Sequence, residues 1–201
     1  MEERPRAPAA LDLIAPHCDI LERLRDVPPS ARVRGLYFKS VLNVLERLDK
    51  LDEFLRLCPP HARSSLRFYS LKDYLVELAT AGAIVASPAD LHAGILEITR
   101  RNAAAFAASV LGRVLIRVLA HDPVRVTEQG LAARRQSTSY GDWHLERNGA
   151  RDISMIYHAE YMWIESAIAG AAMGTFESCN VEANLDTKLD DKYNGFTRIT
   201  W

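Results

Sequence analysis

Residues 91–120, LHAGILEITRRNAAAFAASVLGRVLIRVLA, decide how the rest of the chain is read. No proline interrupts them, and their apolar positions recur at helical spacing. Ser87, Pro88 and Asp90 supply start signals, with Asp90 as the N-cap, and His121-Asp122-Pro123 supplies a stop. Such a helix, at 1.5 Å per residue, runs roughly 45 Å, enough to cross a small domain from side to side. Its middle, with Ala103, Ala104, Ala105, Ala107, Ala108, Ser109 and Gly112, is too small to fill space. Other elements must therefore approach its backbone closely.

Bulk composition narrows the class. A chain of 201 residues suffices for one domain and is short for two. Residues 1–8, with Pro5 and Pro8, read as a flexible tail, and 9–201 as a single domain. With 48% hydrophobic and 25% charged residues the chain is globular, not disordered. A net charge of -1 leaves no excess of cations to displace counterions from phosphate, so no nucleic-acid partner is expected. Cys18, Cys58 and Cys179 are odd in number and far apart, which points to a reducing compartment. No signal peptide is seen. Arg113 and Arg117 interrupt the most apolar window, so no membrane insertion is expected and a soluble cytoplasmic protein is the reading.

Outward from the long helix, the N-terminal half is helical. Leu11 to Leu24 predict a short helix interrupted at Pro16 or partly extended structure, and Arg32 to Phe38 a short strand leading into a helix. Val41, Leu42, Leu45 and Leu48 continue at helical spacing through Leu51, Phe54 and Leu55 to Cys58-Pro59. After a loop from His61 to Tyr69, Ser70 caps a helix carrying Leu71, Tyr74, Leu75 and Leu78.

The pattern changes after Pro123. Asn148-Gly149 lies between two alternating runs and predicts a type I′ hairpin turn, with Trp143 and Leu145 on one face and Ile153, Met155 and Tyr157 inward. A helix from about Tyr157 to Phe176 follows, and its stripe of Ser166, Ala167, Gly170, Ala171 and Gly174 asks for a backbone against it. Val181, Ala183 and Leu185 alternate, Asp190-Asp191-Lys192 turns the chain, and Tyr193 to Trp201 alternates again. The expected class is α+β: a helical N-terminal part with a long central helix, packed on a small antiparallel sheet of ββαββ order.

Arg34-Gly35-Leu36-Tyr37-Phe38, the run Ser109-Val110-Leu111-Gly112-Arg113 and Ser137-Thr138-Ser139-Tyr140-Gly141 together resemble an uncharacterised family expanded in myxobacteria. From the helix at Tyr157 through VEANLDTKLDDKYNGFTRITW the chain is also similar to the V4R domain. That domain belongs to the superfamily of nitric-oxide-sensing haem domains and TRAPP vesicle-tethering subunits. The resemblance implies a cavity that in relatives receives a hydrophobic ligand, a haem or a lipid chain. The cysteines that hold zinc in some V4R sensors fall here on Asp186 and Asn194, so zinc is not expected. The haem branch uses a helical histidine and a Tyr-x-Ser-x-Arg clamp; the clamp is absent, and Arg134-Arg135-Gln136-Ser137 does not replace it by spacing.

No catalytic signature stands out. Ser137 or Ser139 with Asp142 and His144 lacks a nucleophile elbow and an oxyanion hole. His92, His121 and His158, each at a helix end, read as capping or exposed residues before they read as ligands. His158, Tyr161, Met162 and Glu165 share one face of the expected helix; Glu165 would have to be paired or neutralised if buried, or that face is simply the solvated one. Phe68, Tyr74, Phe106, Tyr140 and Trp143 suit a ligand cavity or plain core.

The candidate ligand contacts are Phe106, Tyr140, Trp143, His158, Tyr161 and Glu165. The expected function is a non-enzymatic sensory or adaptor domain that binds a small hydrophobic ligand in an internal cavity, with no cofactor, as a homodimer. The alternatives are a TRAPP-like interaction or scaffold module acting as a dimer without ligand and, more weakly, a haem-binding gas sensor.

Overall fold

A computed structural model describes residues 7–108 and 122–201. Arg113, Arg117, His121 and the C-terminal part of the expected long helix lie outside the described residues. The chain divides into two compact units, one ending at Ile98 and one spanning Thr99–Trp201.

The first unit is helical. Helix α1 (Pro8–Ile14) and α2 (Ile20–Asp26) flank the break at Pro16, and β1 (Arg32–Arg34) leads directly into α3 (Gly35–Arg47). The run expected to reach Cys58 unbroken is two helices, because Asp49 turns to a φ of 55° before α4 (Leu51–Leu57). Strand β2 (Phe68–Ser70) pairs antiparallel with β1 and feeds α5 (Leu71–Val85). Helix α5 buries Leu71, Tyr74, Leu75, Leu78 and every residue from Ala79 to Ile84, so it is the core rod of this unit. Helix α6 (Leu91–Ala108) starts where the sequence says: the Asp90 carbonyl accepts from the Ala93 and Gly94 amides, and the Ser87 hydroxyl donates to the Asp90 carboxylate.

The second unit contains the C-terminal half of α6, α7 (Pro123–Ser137), β3 (Asp142–Gly149), β4 (Asp152–His158), a π-helical turn (Ile164–Ile168), α8 (Ala169–Ser178), β5 (Asn184–Leu189) and β6 (Gly195–Thr200). The strands form one antiparallel sheet in the order β3-β4-β6-β5, so the class is α+β and the C-terminal order is ββαββ, as the alternation predicts. The buried side chains are Ile153, Met155 and Tyr157 of β4 and Thr197 and Ile199 of β6, joined by Trp163 and Phe176.

Three features of this unit depart from the sequence reading. Helix α7 is absent from that reading: Asp122 caps it, its carboxylate accepting from the Val124 and Arg125 amides at 3.1 and 3.3 Å, and Pro123 takes the first turn, where no amide hydrogen is needed. The hairpin turn is Ala150-Arg151, not Asn148-Gly149. Asn148 stays in β3 at an irregular register, and its amide nitrogen reaches across to Asp152 and Ser154. The helix expected from Tyr157 begins only at the π turn, after β4 has run to His158.

The small-residue stripe does meet a backbone. A β-carbon placed on Gly174 would stand 2.2 Å from the Arg100 carbonyl oxygen of α6, so only glycine admits this approach. No described helix is long and apolar enough to cross a membrane.

Candidate functional site

Strand β4 ends in a bend that determines the chemistry of the second unit. Ala159 takes a φ of 51°, and its amide donates to the Asn194 side-chain oxygen at 3.0 Å. The next amide, of Glu160, donates to the Tyr193 carbonyl at 2.8 Å. These two bonds tie the end of β4 to the turn between β5 and β6, itself held by Asp191. The Asp191 carboxylate accepts from the Tyr193 and Asn194 amides and from the Asn194 side chain, which holds it below the usual carboxylate range.

The bend sends Glu160 inward, where it is wholly buried. A buried carboxylate persists only if its oxygens are satisfied. Here Oε2 accepts from Arg134 Nη2 at 2.5 Å and from Trp143 Nε1 at 2.9 Å, and Oε1 accepts from the Met162 amide at 2.8 Å. Arg134, 7% exposed, comes from the last turn of α7. Its Nη1 donates to the Tyr140 carbonyl at 3.2 Å, and its guanidinium lies over the rings of Trp143 and Tyr140, 4.2 and 5.1 Å from their centroids. Gly141 makes room at a φ of 65°, since a β-carbon there would stand 2.9 Å from Arg134 Nη2. Beside this pair, Tyr140, Tyr161 and Tyr193 form a half-buried aromatic row, with centroids 5.9 and 5.0 Å apart. Trp143 packs edge-on against Tyr157. Burial holds the Tyr157 phenol well above its ordinary range, so it stays protonated.

The Glu160 carboxylate thus accepts three hydrogen bonds, one of them from the guanidinium, and the arrangement anchors aromatic surface. Tyr140, Trp143 and Tyr161 are brought together here. His158 and Glu165 are exposed, so the buried glutamate is Glu160 and not Glu165, and the residues expected to share a helix face lie along a strand end, a bend and a π turn. Phe106 belongs to α6, and its side chain is outside the described part. Of the other aromatics, Tyr74 is core of the first unit, edge-on to Phe38 and Tyr37, and Phe68 is exposed there. Asp142 and His144 form an exposed pair at 3.0 Å.

Arg134, Glu160 and Tyr193 are the participants that the sequence reading missed. Glu160 carried one signal, an acid three residues beyond an inward-alternating run, but the expected helix hid it. A separate open cavity of about 660 Å³ lies between the start of α7, the tip of the β3–β4 hairpin and the stretch Asn180–Glu182, and Trp201 also lines it. Among the described residues, no group of three or more histidine, cysteine or acidic side chains is placed to hold a metal ion.

This architecture is shared with the H-NOX proteins. The chain is similar to the Fe(II) unliganded H-NOX protein from K. algicida, at 17% identity and a TM-score of 0.59, covering 83% of this chain and 95% of that one. It is similar also to a mutant of the T. Tengcongensis H-NOX, at 13% identity and a TM-score of 0.58, with 83% and 96% covered. A third H-NOX structure, from work on heme distortion in that family, matches at 14% identity and a TM-score of 0.57, with 84% and 94% covered. At these identities the likeness is one of fold. The chain itself belongs to the family described as Protein of unknown function (DUF2378), which matches residues 27–201. None of the curated proteins matches it.

A haem in such a fold needs an axial donor inside a cavity. The described residues do not fit that need. His17, His61, His144 and His158 are exposed, and His92 is half-buried in the first turn of α6. Burial pushes the Cys58 thiol up to about 12, which leaves no thiolate at neutral pH. The 660 Å³ cavity has no histidine, cysteine, methionine or tyrosine in its lining.

Proposed function

We propose that this chain is a non-enzymatic sensory or adaptor domain that binds a small hydrophobic ligand against Tyr140, Trp143 and Tyr161. Phe106, of α6, belongs to the same proposed contact set, and the exposed His158 and Glu165 complete it. The observation that carries this reading is the half-buried aromatic row seated beside a buried ion pair whose carboxylate is already fully engaged. Such a row offers apolar contact on rigid rings, at a low cost in side-chain entropy. The likeness in fold to H-NOX domains is consistent with a sensor that performs no reaction of its own. The V4R and TRAPP kinship, the myxobacterial expansion, the single domain over 9–201, the homodimer and the cytoplasmic location belong to the same proposal.

Native mass spectrometry of freshly purified protein, with an absorption spectrum of the same sample, tests it. The expected result is a retained organic ligand, lost on the Tyr161→Ala substitution, and no visible absorption band. A ligand-free spectrum in which Tyr161→Ala changes nothing refutes the site, and a visible band would make the protein a haem sensor instead.

A further inference from the structure

The first unit carries a surface that the ligand reading does not use. Among the described residues five large apolar side chains are exposed, Leu21, Leu36, Leu66, Phe68 and Leu189, and three of them, Leu36, Leu66 and Phe68, belong to β2 and the segments bonded around the β1–β2 pair. Arg34 pairs with Phe68 across the β1–β2 ladder. Beyond the strands α3 begins, and two bonds hold its first residues to the loop before β2, the Gly35 amide on the Arg67 carbonyl at 2.9 Å and the Leu36 amide on the Ser65 carbonyl at 3.2 Å. Residues directly opposite in an antiparallel pair share a face. Arg32 and Arg34 therefore stand on the same side as Ser70 and Phe68, Val33, on the other side, is wholly buried, and the Arg34 guanidinium also donates to the Leu66 carbonyl at 3.3 Å.

Ser64-Ser65-Leu66-Arg67 is a turn closed by the Arg67 amide on the Ser64 carbonyl, and Leu66 near its apex is 75% exposed. Turn tips ordinarily hold Gly, Asn, Asp or Ser, which water solvates well; leucine there leaves apolar surface in water. Leu36 and Phe68 flank it, 50% and 41% exposed. Cations accompany them. The Arg34 guanidinium lies over the Phe68 ring, 5.2 Å from its centroid, Arg32 is exposed on the same face, and Lys39 is exposed one helical turn on from Leu36. Neither 32–39 nor 64–70, the two stretches that build the patch, contains an Asp or Glu, and the nearest acid in sequence is Asp73 in the first turn of α5.

We propose that this protrusion is a docking surface for an anionic phospholipid bilayer, with Leu66, Phe68 and Leu36 entering the headgroup region and Arg32, Arg34 and Lys39 meeting lipid phosphates. A protruding apolar tip accompanied by cations matches a flat interface that is apolar below and negative above. Peptide recognition by a strand or helix instead uses a groove on the receiving protein. The contact is interfacial and does not require a spanning helix.

Co-sedimentation of the full chain with vesicles decides the matter. Binding is expected to phosphatidylcholine vesicles containing phosphatidylserine, little to phosphatidylcholine alone, and less as salt rises. Lys39→Ala should weaken it about fivefold, the usual worth of one basic side chain near such a surface. Leu66→Asp should weaken it at least as much, with the far-UV circular dichroism unchanged, since the side chain is exposed. No binding to the anionic vesicles, equal binding to neutral ones, or full binding by Leu66→Asp would overturn the proposal. Tight binding of a soluble poly-glutamate peptide without vesicle binding would also overturn it, and would make the surface a protein contact.

Discussion

Each of the two units holds an arginine–carboxylate pair away from solvent, and the pairs are built differently. In the first unit Arg63, from the loop before β2, makes two bonds to Glu77 of α5, at 3.1 and 2.6 Å, with its guanidinium 3.8 Å from the centroid of the Phe38 ring. Both partners keep a little water contact, 10% and 13% exposed. Burial raises the Glu77 carboxyl, and the arginine offsets this only in part. In the second unit Glu160 has no contact with water, and Trp143 and the Met162 amide add to Arg134. The difference teaches that a carboxylate can be buried completely only where donors besides its counter-ion are aimed at it. The first pair is a latch on one helix; the second ties together α7, β3 and the bend after β4.

The largest effect should come from breaking the second pair. Arg134→Met leaves Glu160 buried without its counter-ion and should cost about 3–5 kcal/mol. All three tryptophans, Trp143, Trp163 and Trp201, lie in the second unit, so urea unfolding followed by tryptophan fluorescence reads this loss directly. An unchanged midpoint would mean that the pair anchors nothing.

An intermediate effect is expected at Gly174. Replacing glycine by alanine within a helix ordinarily gains up to ~1 kcal/mol. Here the new β-carbon meets the Arg100 carbonyl, a backbone atom that no rotamer can move aside. Overpacking of this kind costs about 1–3 kcal/mol, so Gly174→Ala should lower the same fluorescence midpoint; a raised midpoint would show that α8 and α6 can part without penalty.

The smallest effect concerns the first pair and its pH dependence. The folded-state pKa of Glu77 lies above its unfolded value, so its contribution to stability is fully present below the unfolded pKa and is lost as pH rises through the folded pKa. Wild type should therefore lose stability relative to Glu77→Gln as the pH is raised from about 4, the ordinary glutamate value, toward neutrality, read by circular dichroism at a helical wavelength. The opposite slope would mean that Arg63 outweighs burial, and the two pairs would then be alike.

Much of the second unit is legible in the order of its residues. The alternation of Ile153, Met155 and Tyr157 states which face of β4 is inward, Asp190-Asp191-Lys192 marks the turn, and the glycine-bearing stripe around Gly174 asks for the backbone it meets. Two helix starts show where such reading fails. Asp90 reads as a cap because an apolar period follows it. Asp122-Pro123 is an equally good start, but the same residues also end a preceding helix, and the polar run after them, VRVTEQGLAARRQS, has a weak period. Asn148-Gly149 misleads for another reason. The turn falls two residues further on, and Asn148 bonds instead to Asp152 and Ser154 across the ladder.

Among the site residues, Tyr140, Trp143 and Tyr161 are identifiable as amphipathic aromatics, yet their common partner is not. Local spacing determined by itself that the chain is α+β, which strand faces are apolar, and where a helix must come close to its neighbour, because each of these follows from periods of 2 and 3.6 residues and from side-chain size. Tertiary structure alone decided that Glu160 is the buried acid. Whether a carboxylate leaves water depends on donors brought from Arg134, 26 residues earlier, and from Trp143, and on a bend held by Tyr193 and Asn194, more than 30 residues later. None of these is encoded in the neighbourhood of residue 160.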